Sequence, residues 1–386
     1  MPTSALHNRA TPFEASPIEH TENDMNDLFD IIKAEIQADG PITVARYMEL
    51  ALAHPEHGYY MKQDPLGEDG DFTTAPEISQ MFGEMIGLWT AVVWQALGQP
   101  DPLNVVEVGP GRGTLMADAL RAAYAMDEFD DAARLWLIET SPALREKQKL
   151  TLTPTMMMPA WRDRFEDVGS GPVVVIGNEF FDALPIHQYE RTNDGWRERL
   201  VGLDDDGIGL AFTLSEDLAD NSVIPENLRD ATPSGGVYEH QPTSCEVMRQ
   251  IATRVVDQGG AALFLDYGHG EHAIGDTLQA VKGHEFADVL QNPGDADLTA
   301  HVDFEQLMVA AREAGAEVLG PVPQGAFLER LGMRQRADML LMNANEEQMA
   351  EIDAAYARLT ASEQMGLLFK VIAVVPPGFG VPPWAE

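Results

Sequence analysis

Residues 105–120, VVEVGPGRGTLMADAL, set three glycines at alternate positions between a β-branched apolar run and a helical repeat. This stretch fixes one corner of the fold. It predicts a buried strand, a turn requiring positive φ, and a helix whose inward face carries Leu115, Met116, Ala119, Leu120 and Ala123. The rhythm recurs in LWLIE, in residues 173–176 and 261–265, and in the closing runs AEVLGPV and LFKVIAVV. Short buried runs alternating with helices predict an α/β fold with a parallel sheet covered on both faces.

Two stretches depart from that rhythm. The segment NDLFDIIKAEIQADGPITVARYMELALA has apolar spacings of three and four broken at Gly40-Pro41, which predicts two short helices. Beyond it, Thr74 and Glu77 are spaced as a capping box, opening a helix with Ile78, Met81, Phe82, Met85, Ile86 and Trp89 on one stripe. Between the strand at 173–176 and the one at 261–265, apolar and polar residues alternate around the turn signals Asn193-Asp194-Gly195 and Asp206-Gly207. An antiparallel meander inserted at about 187–235 is expected there. The chain then divides into a tail (1–24), an N-terminal helical region (25–100), the α/β domain (101–376) and a C-terminal tail (377–386).

With 386 residues and 45% apolar content the chain can bury a substantial core. No run reaches the roughly 18 apolar residues of a membrane span, and the first 24 residues hold a single arginine, reading as neither a secretory signal nor a transit peptide. One cysteine, Cys245, excludes an internal disulfide framework and fits a reducing, cytoplasmic setting. The net charge of −38, from 25 basic and 63 acidic residues, repels nucleic-acid phosphate and favours cationic partners. The same excess also serves as a solvated surface. His54 and His57, and His269 and His272, are each three apart, but neither pair has a further cluster of ligands beside it, so no metal is expected.

Gly109, Gly111 and Gly113 allow a ligand to touch backbone where a Cβ would obstruct it. A G-x-G-x-x-G frame would put Thr114 at its third glycine, and Glu107 precedes the turn. An acid in that place repels a pyrophosphate and attracts a ligand carrying an ammonium group. Glu139 ends the second strand, where a carboxylate can accept both ribose hydroxyls. S-adenosylmethionine meets these conditions, and a nicotinamide cofactor is the competing reading. The cofactor residues are then Glu107, Gly109, Gly111, Gly113, Thr114 and Glu139. In VVVIGNEFFDALPIHQYE, Asn178, Glu179 and Asp182 lie where the strand from 173 runs out, the edge at which α/β sheets collect ligands. Paired carboxylates there suit a guanidinium, which they can hold in bidentate geometry while one nitrogen sheds its proton.

The chain resembles the MidA family of class I adenosylmethionine-dependent methyltransferases. The likeness rests on GPITVARYMELALAHPEHGYY, GDFTTAPEISQMFGEMIG, VVEVGPGRGTLMADAL, NEFFDALP, LFLDYG, DADLTAHVDF and MGLLFKVIAV. It implies a Rossmann-like seven-stranded sheet, protein arginine as methyl acceptor, and a role in assembling respiratory complex I, a subunit of which would be the partner. It further implies that Asp71, Phe72, Thr73, Thr74, Glu77 and Gln80 line the mouth of the active site. Asp266 and Tyr267 of DYG, at a strand end, and His301 of DLTAHVDF would border the same cleft. A small-molecule methyltransferase and an adenosylmethionine-binding assembly factor without catalysis are the alternatives. Oligomeric state is not legible.

Overall fold

The computed structural model describes residues 27–62 and 74–384. The 1–24 tail and Asp71, Phe72 and Thr73 lie outside the described residues. The main sheet uses β1 (Leu103–Val108), β2 (Ala133–Ile138), β3 (Ala160–Arg162), β4 (Val173–Asn178), β5 (Gly260–His269), β6 (Glu317–Pro323) and β7 (Phe369–Val375). Their order across the sheet is β6-β7-β5-β4-β1-β2-β3, with a short eighth strand, Val302–Asp303, beside β5. Neighbours from β5 to β3 pair in parallel, whereas β7 runs antiparallel to both β5 and β6. Every residue of β1 and of β4 is buried, as their apolar runs require for strands covered on both faces. The chain leaves β1 toward β2 on one side and returns to β4 on the other. Strand order reverses there, opening a crevice at the carboxyl ends of β1 and β4.

One face of the sheet is covered by the Gln80–Ala96 and Thr114–Ala123 helices, whose Met81, Phe82, Met85, Ile86 and Trp89 pack with Val105, Ile176 and Leu263. On the other, the Pro242–Gln258 and Phe304–Glu313 helices press Met248, Ile251, Val255 and Leu307 onto Val106, Val175 and Phe264. The helix expected from Thr74 is broken. Thr74 makes no side-chain cap bond, and the Ala75–Ile78 turn ends at Ser79, extended at φ −163°, whose hydroxyl accepts from the Met81 N–H to start the Gln80–Ala96 helix. Glu77 is thereby released from the predicted capping box.

The expected meander is present as His187–Arg191, Trp196–Leu203 and Leu210–Leu214; Val237–His240, beyond the expected bounds, pairs with the first of these and Ile42–Thr43 from the N-terminal region with the second. Leu28, Ile32, Tyr47 and Met48 of the Asp27–Asp39 and Val44–Ala53 helices pack with Ile186, Val201 and Leu298. Segment 25–100 is therefore shared between two cores. A three-stranded sheet of Gln279–Lys282, Glu285–Ala287 and Asp297–Thr299 was not anticipated from the sequence, because its strands are short and broken by acids and turns. The C-terminal segment also packs inward. Val381 is fully buried, and the Pro382 carbonyl accepts from the Trp89 indole at 2.7 Å.

The Gln80–Ala96 and Thr114–Ala123 helices meet so closely that a Cβ on Gly87 would lie 2.0 Å from the Ala119 carbonyl oxygen. Gly87→Ala is expected to cost about 3 kcal/mol by forcing the helices apart. An unchanged urea-unfolding midpoint would contradict this packing.

Candidate active site

The crevice is a cleft of about 870 Å3. Of the residues expected to form a site, Glu107, Gly109, Gly111, Thr114, Glu139, Asn178, Glu179, Thr74 and Glu77 line it. The turn after β1 has Gly109, Gly111 and Gly113 at φ +63°, +50° and +82°, a conformation that penalises any Cβ. At Gly109 an added Cβ would also come within 2.8 Å of the Phe180 ring. Gly113 lies behind the loop, opening the Thr114–Ala123 helix and packing on Gln148.

Glu107 is 3% exposed, its Oε2 has no hydrogen-bond partner, and burial pushes its carboxyl well above the ordinary value. An acid buried without a partner is costly unless a ligand supplies the missing donor. The arrangement fits a cationic amino group. Glu139, at the end of β2, accepts from the Ser141 N–H at 2.7 Å through Oε1 and from Gln148 Nε2 at 3.1 Å through Oε2. Each carboxylate oxygen has two lone pairs, so both can still accept a hydroxyl. Burial raises its pKa, against the lowering effect of these bonds.

Glu179 follows β4 at φ +49°, a left-handed conformation unusual outside glycine. Its Oε1 accepts from the Ala75 N–H at 2.9 Å and from Asn178 Nδ2 at 3.0 Å, which fixes the carboxylate at the cleft wall. Burial, with a contribution from the Asp182 charge, raises its pKa to about 7. Asn178 Oδ1 is buried without a partner. Across the cleft, Glu77 accepts from the Thr114 hydroxyl at 2.6 Å.

Besides Gly113, five predicted residues lie off the cleft. Asp182, 5% exposed, does not line it; its Oδ1 is unpartnered, burial raises its pKa to about 6, and the Tyr267 hydroxyl pulls it down. The DYG segment does not end a strand, because Val302–Asp303 pairs with Gly268 and His269 and carries β5 on to His269. Asp266 is thus interior, where its Oδ2 accepts from the backbone N–H groups of Phe180, Phe181 and Asp182 at 3.1, 2.9 and 3.3 Å. It braces the turn that presents Glu179. Tyr267 stacks edge-on with His301, ring centroids 5.5 Å apart, behind the same turn. Gln80 is exposed and takes a bond from Arg121 at 3.3 Å.

The cleft also has walls that the sequence reading passed over. Thr43, Arg46, Met48 and Glu49 contribute one, and Tyr60, whose hydroxyl donates to Asp297 at 2.9 Å, another. Gln148 was missed as well, although it breaks the buried stripe Leu144, Gln148 and Leu152 of its helix, which is a readable signal. The histidine pairs hold no metal-binding arrangement among the described residues; His54 and His57 stack, and His272 bonds Asp303 at 2.8 Å.

A sheet in this order, with a glycine turn and an acid closing each of its first two strands, has the architecture of an S-adenosylmethionine-dependent methyltransferase. The chain belongs to the family described as "Putative S-adenosyl-L-methionine-dependent methyltransferase", whose profile matches residues 85–322. Its cofactor is S-adenosylmethionine. "Protein arginine methyltransferase NDUFAF7, mitochondrial" of Xenopus tropicalis is 38% identical over 377 residues, covering 91% of this chain and 86% of the relative. The Homo sapiens protein of the same name is 35% identical over 410 residues, covering 97% and 90%. A Burkholderia thailandensis protein crystallised with S-adenosyl-homocysteine superposes with a TM-score of 0.80 at 27% identity, covering 95% of this chain and 97% of that one. These relatives correct one expectation. The curated proteins are named mitochondrial, pointing away from the cytoplasmic location inferred from the cysteine content.

Asp266→Ala would strand three backbone N–H groups behind the Glu179 turn. We expect a loss of about 3 kcal/mol in urea unfolding; wild-type stability would show that the turn holds without this acceptor.

Proposed function

We propose that this chain methylates a guanidinium nitrogen of a protein arginine. The observation that carries the reading is the Glu179 carboxylate, anchored at the cleft wall and raised to a pKa of about 7. The relatives named protein arginine methyltransferases support it. Glu107 would meet the cofactor's amino group and Glu139 its ribose hydroxyls, with Gly109 and Gly111 bringing backbone against its tail. A sulfonium methyl is then offered for in-line displacement.

The chain's own part is to hold the acceptor and take its proton. Glu179 holds the guanidinium by hydrogen bonding and accepts the proton released as the new N–CH3 bond forms and the S–CH3 bond breaks. Asn178, bonded to the same carboxylate, keeps it aimed. Asp182 acts from behind this wall through its charge on Glu179. In this reading the N-terminal helices, which bring Thr43, Arg46 and Glu49 to the cleft, present the acceptor, and 101–376 outside the 187–235 insertion binds the cofactor. The acceptor protein would be a subunit of respiratory complex I, met during assembly.

Glu179 must be ionised to take the proton, so turnover is expected to rise with pH through about 7. With labelled adenosylmethionine and extract from cells lacking the gene, the label should enter arginine of a protein. Glu179→Gln should lower that turnover by roughly 100-fold or more with cofactor affinity nearly unchanged. Label confined to small molecules, or a mutant as fast as the parent, would refute the reading.

A further inference from the structure

Gln148 is fully buried, 0% exposed, on the Pro142–Leu152 helix, and its amide is completely used. Its Nε2 donates to the Gly111 carbonyl at 2.8 Å and to Glu139 Oε2 at 3.1 Å, while its Oε1 accepts from Trp161 Nε1 at 2.8 Å. The orientation of this amide is dictated by chemistry. An indole N–H can only donate, so the carbonyl oxygen must face Trp161; the two amide hydrogens must then face the carbonyl and the carboxylate, which can only accept. Turning the amide over would set oxygen against two acceptors and NH2 against a donor.

We propose that Gln148 is the positioning residue for the cofactor's nucleoside end, locking the Glu139 carboxylate and the glycine turn into one rigid receptor. This rests on the reading of Glu139 as the acid that takes the ribose hydroxyls. The two elements come from different strands, β1 and β2, and Gln148 is the side chain that bonds to both. Ser141 holds Glu139 Oε1 from the backbone, so with Gln148 on Oε2 the carboxylate is fixed at both oxygens and its remaining lone pairs point in set directions. A hydrogen-bond acceptor prepared in this way binds a diol without first having to be ordered. Trp161 acts one step further back, by preventing the amide from turning.

The test is a double-mutant cycle read by calorimetric binding of S-adenosylhomocysteine, with kcat measured at saturating adenosylmethionine. Gln148→Met keeps the length and burial of the side chain and removes its bonds; binding should weaken roughly tenfold or more while kcat at saturation stays near the parent value. Trp161→Phe leaves Gln148 in place with its Oε1 unpartnered and one of the three bonds that hold the amide removed, and should weaken binding in the same direction by less. In a Glu139→Ala background, Gln148→Met should add roughly threefold or less, because its principal partner has gone. Parental affinity in Gln148→Met, or an undiminished loss when Glu139 is already alanine, would overturn the proposal and leave Gln148 a packing residue. Parental affinity in Glu139→Ala alone would instead refute the ribose assignment beneath it. Should Gln148→Met unfold, Trp161→Phe with and without Glu139→Ala supplies the same cycle.

Discussion

A carboxylate buried at the end of a strand with one oxygen unpartnered is the constraint around which this molecule is arranged. Glu107 sits inside a wholly buried β1, flanked by Leu137 and Ile176 on the neighbouring strands, and its Oε2 meets no hydrogen-bond donor among the described residues. A surface salt bridge could be lost at little cost; a buried acid left unpaired could not. The sheet puts this acid where strand order reverses, and the glycine turn beside it leaves room for a ligand backbone to approach. In the proposed reading a cationic group of the ligand meets this acid.

Two other acids of the cleft, Glu139 and Glu179, are held by a common device, a bracing group one layer behind the wall. Asp266 collects three N–H groups of the turn that carries Glu179, and Gln148 ties Glu139 to the loop after β1. Each brace belongs to a different element from the group it holds. Glu179 in a left-handed conformation, with its carboxylate fixed by Ala75 and Asn178, shows why bracing is needed, since unaided backbone would relax from it. Strain is kept where the chemistry is and resisted from the core.

Much of this was readable from the chain alone. The parallel strands declare themselves by short β-branched runs, the meander by alternation, and the cofactor turn by glycines whose positive φ no other residue adopts cheaply. Acids at strand ends were also legible, because open sheets gather ligands there. What escaped has physical reasons. Asp182 stands close in sequence to cleft residues, Asp266 and Tyr267 at an expected strand end and His301 in a stretch named by the resemblance, but sequence does not say which side of a wall a side chain takes; β5 runs four residues beyond the 261–265 run, to His269, because Val302–Asp303 pairs with it. Thr74 and Glu77 have capping-box spacing, yet Glu77 is drawn off by Thr114, a partner distant along the chain. The role of Gln148 depends on three partners, Gly111, Glu139 and Trp161, that come from other parts of the chain.

The claim that Glu107 waits for a cation is tested most directly by the protons exchanged on binding. Burial holds its carboxyl above the ordinary range by disfavouring the charged form; an ammonium placed against it favours the ionised form and expels the proton. Calorimetry of S-adenosylmethionine binding in buffers of differing ionisation enthalpy, run over a series of pH values, should therefore show net proton release below the bound-state pKa of Glu107, abolished in Glu107→Gln. Binding heats that do not depend on the buffer in the parent protein, or a release that survives in Glu107→Gln, would contradict the account.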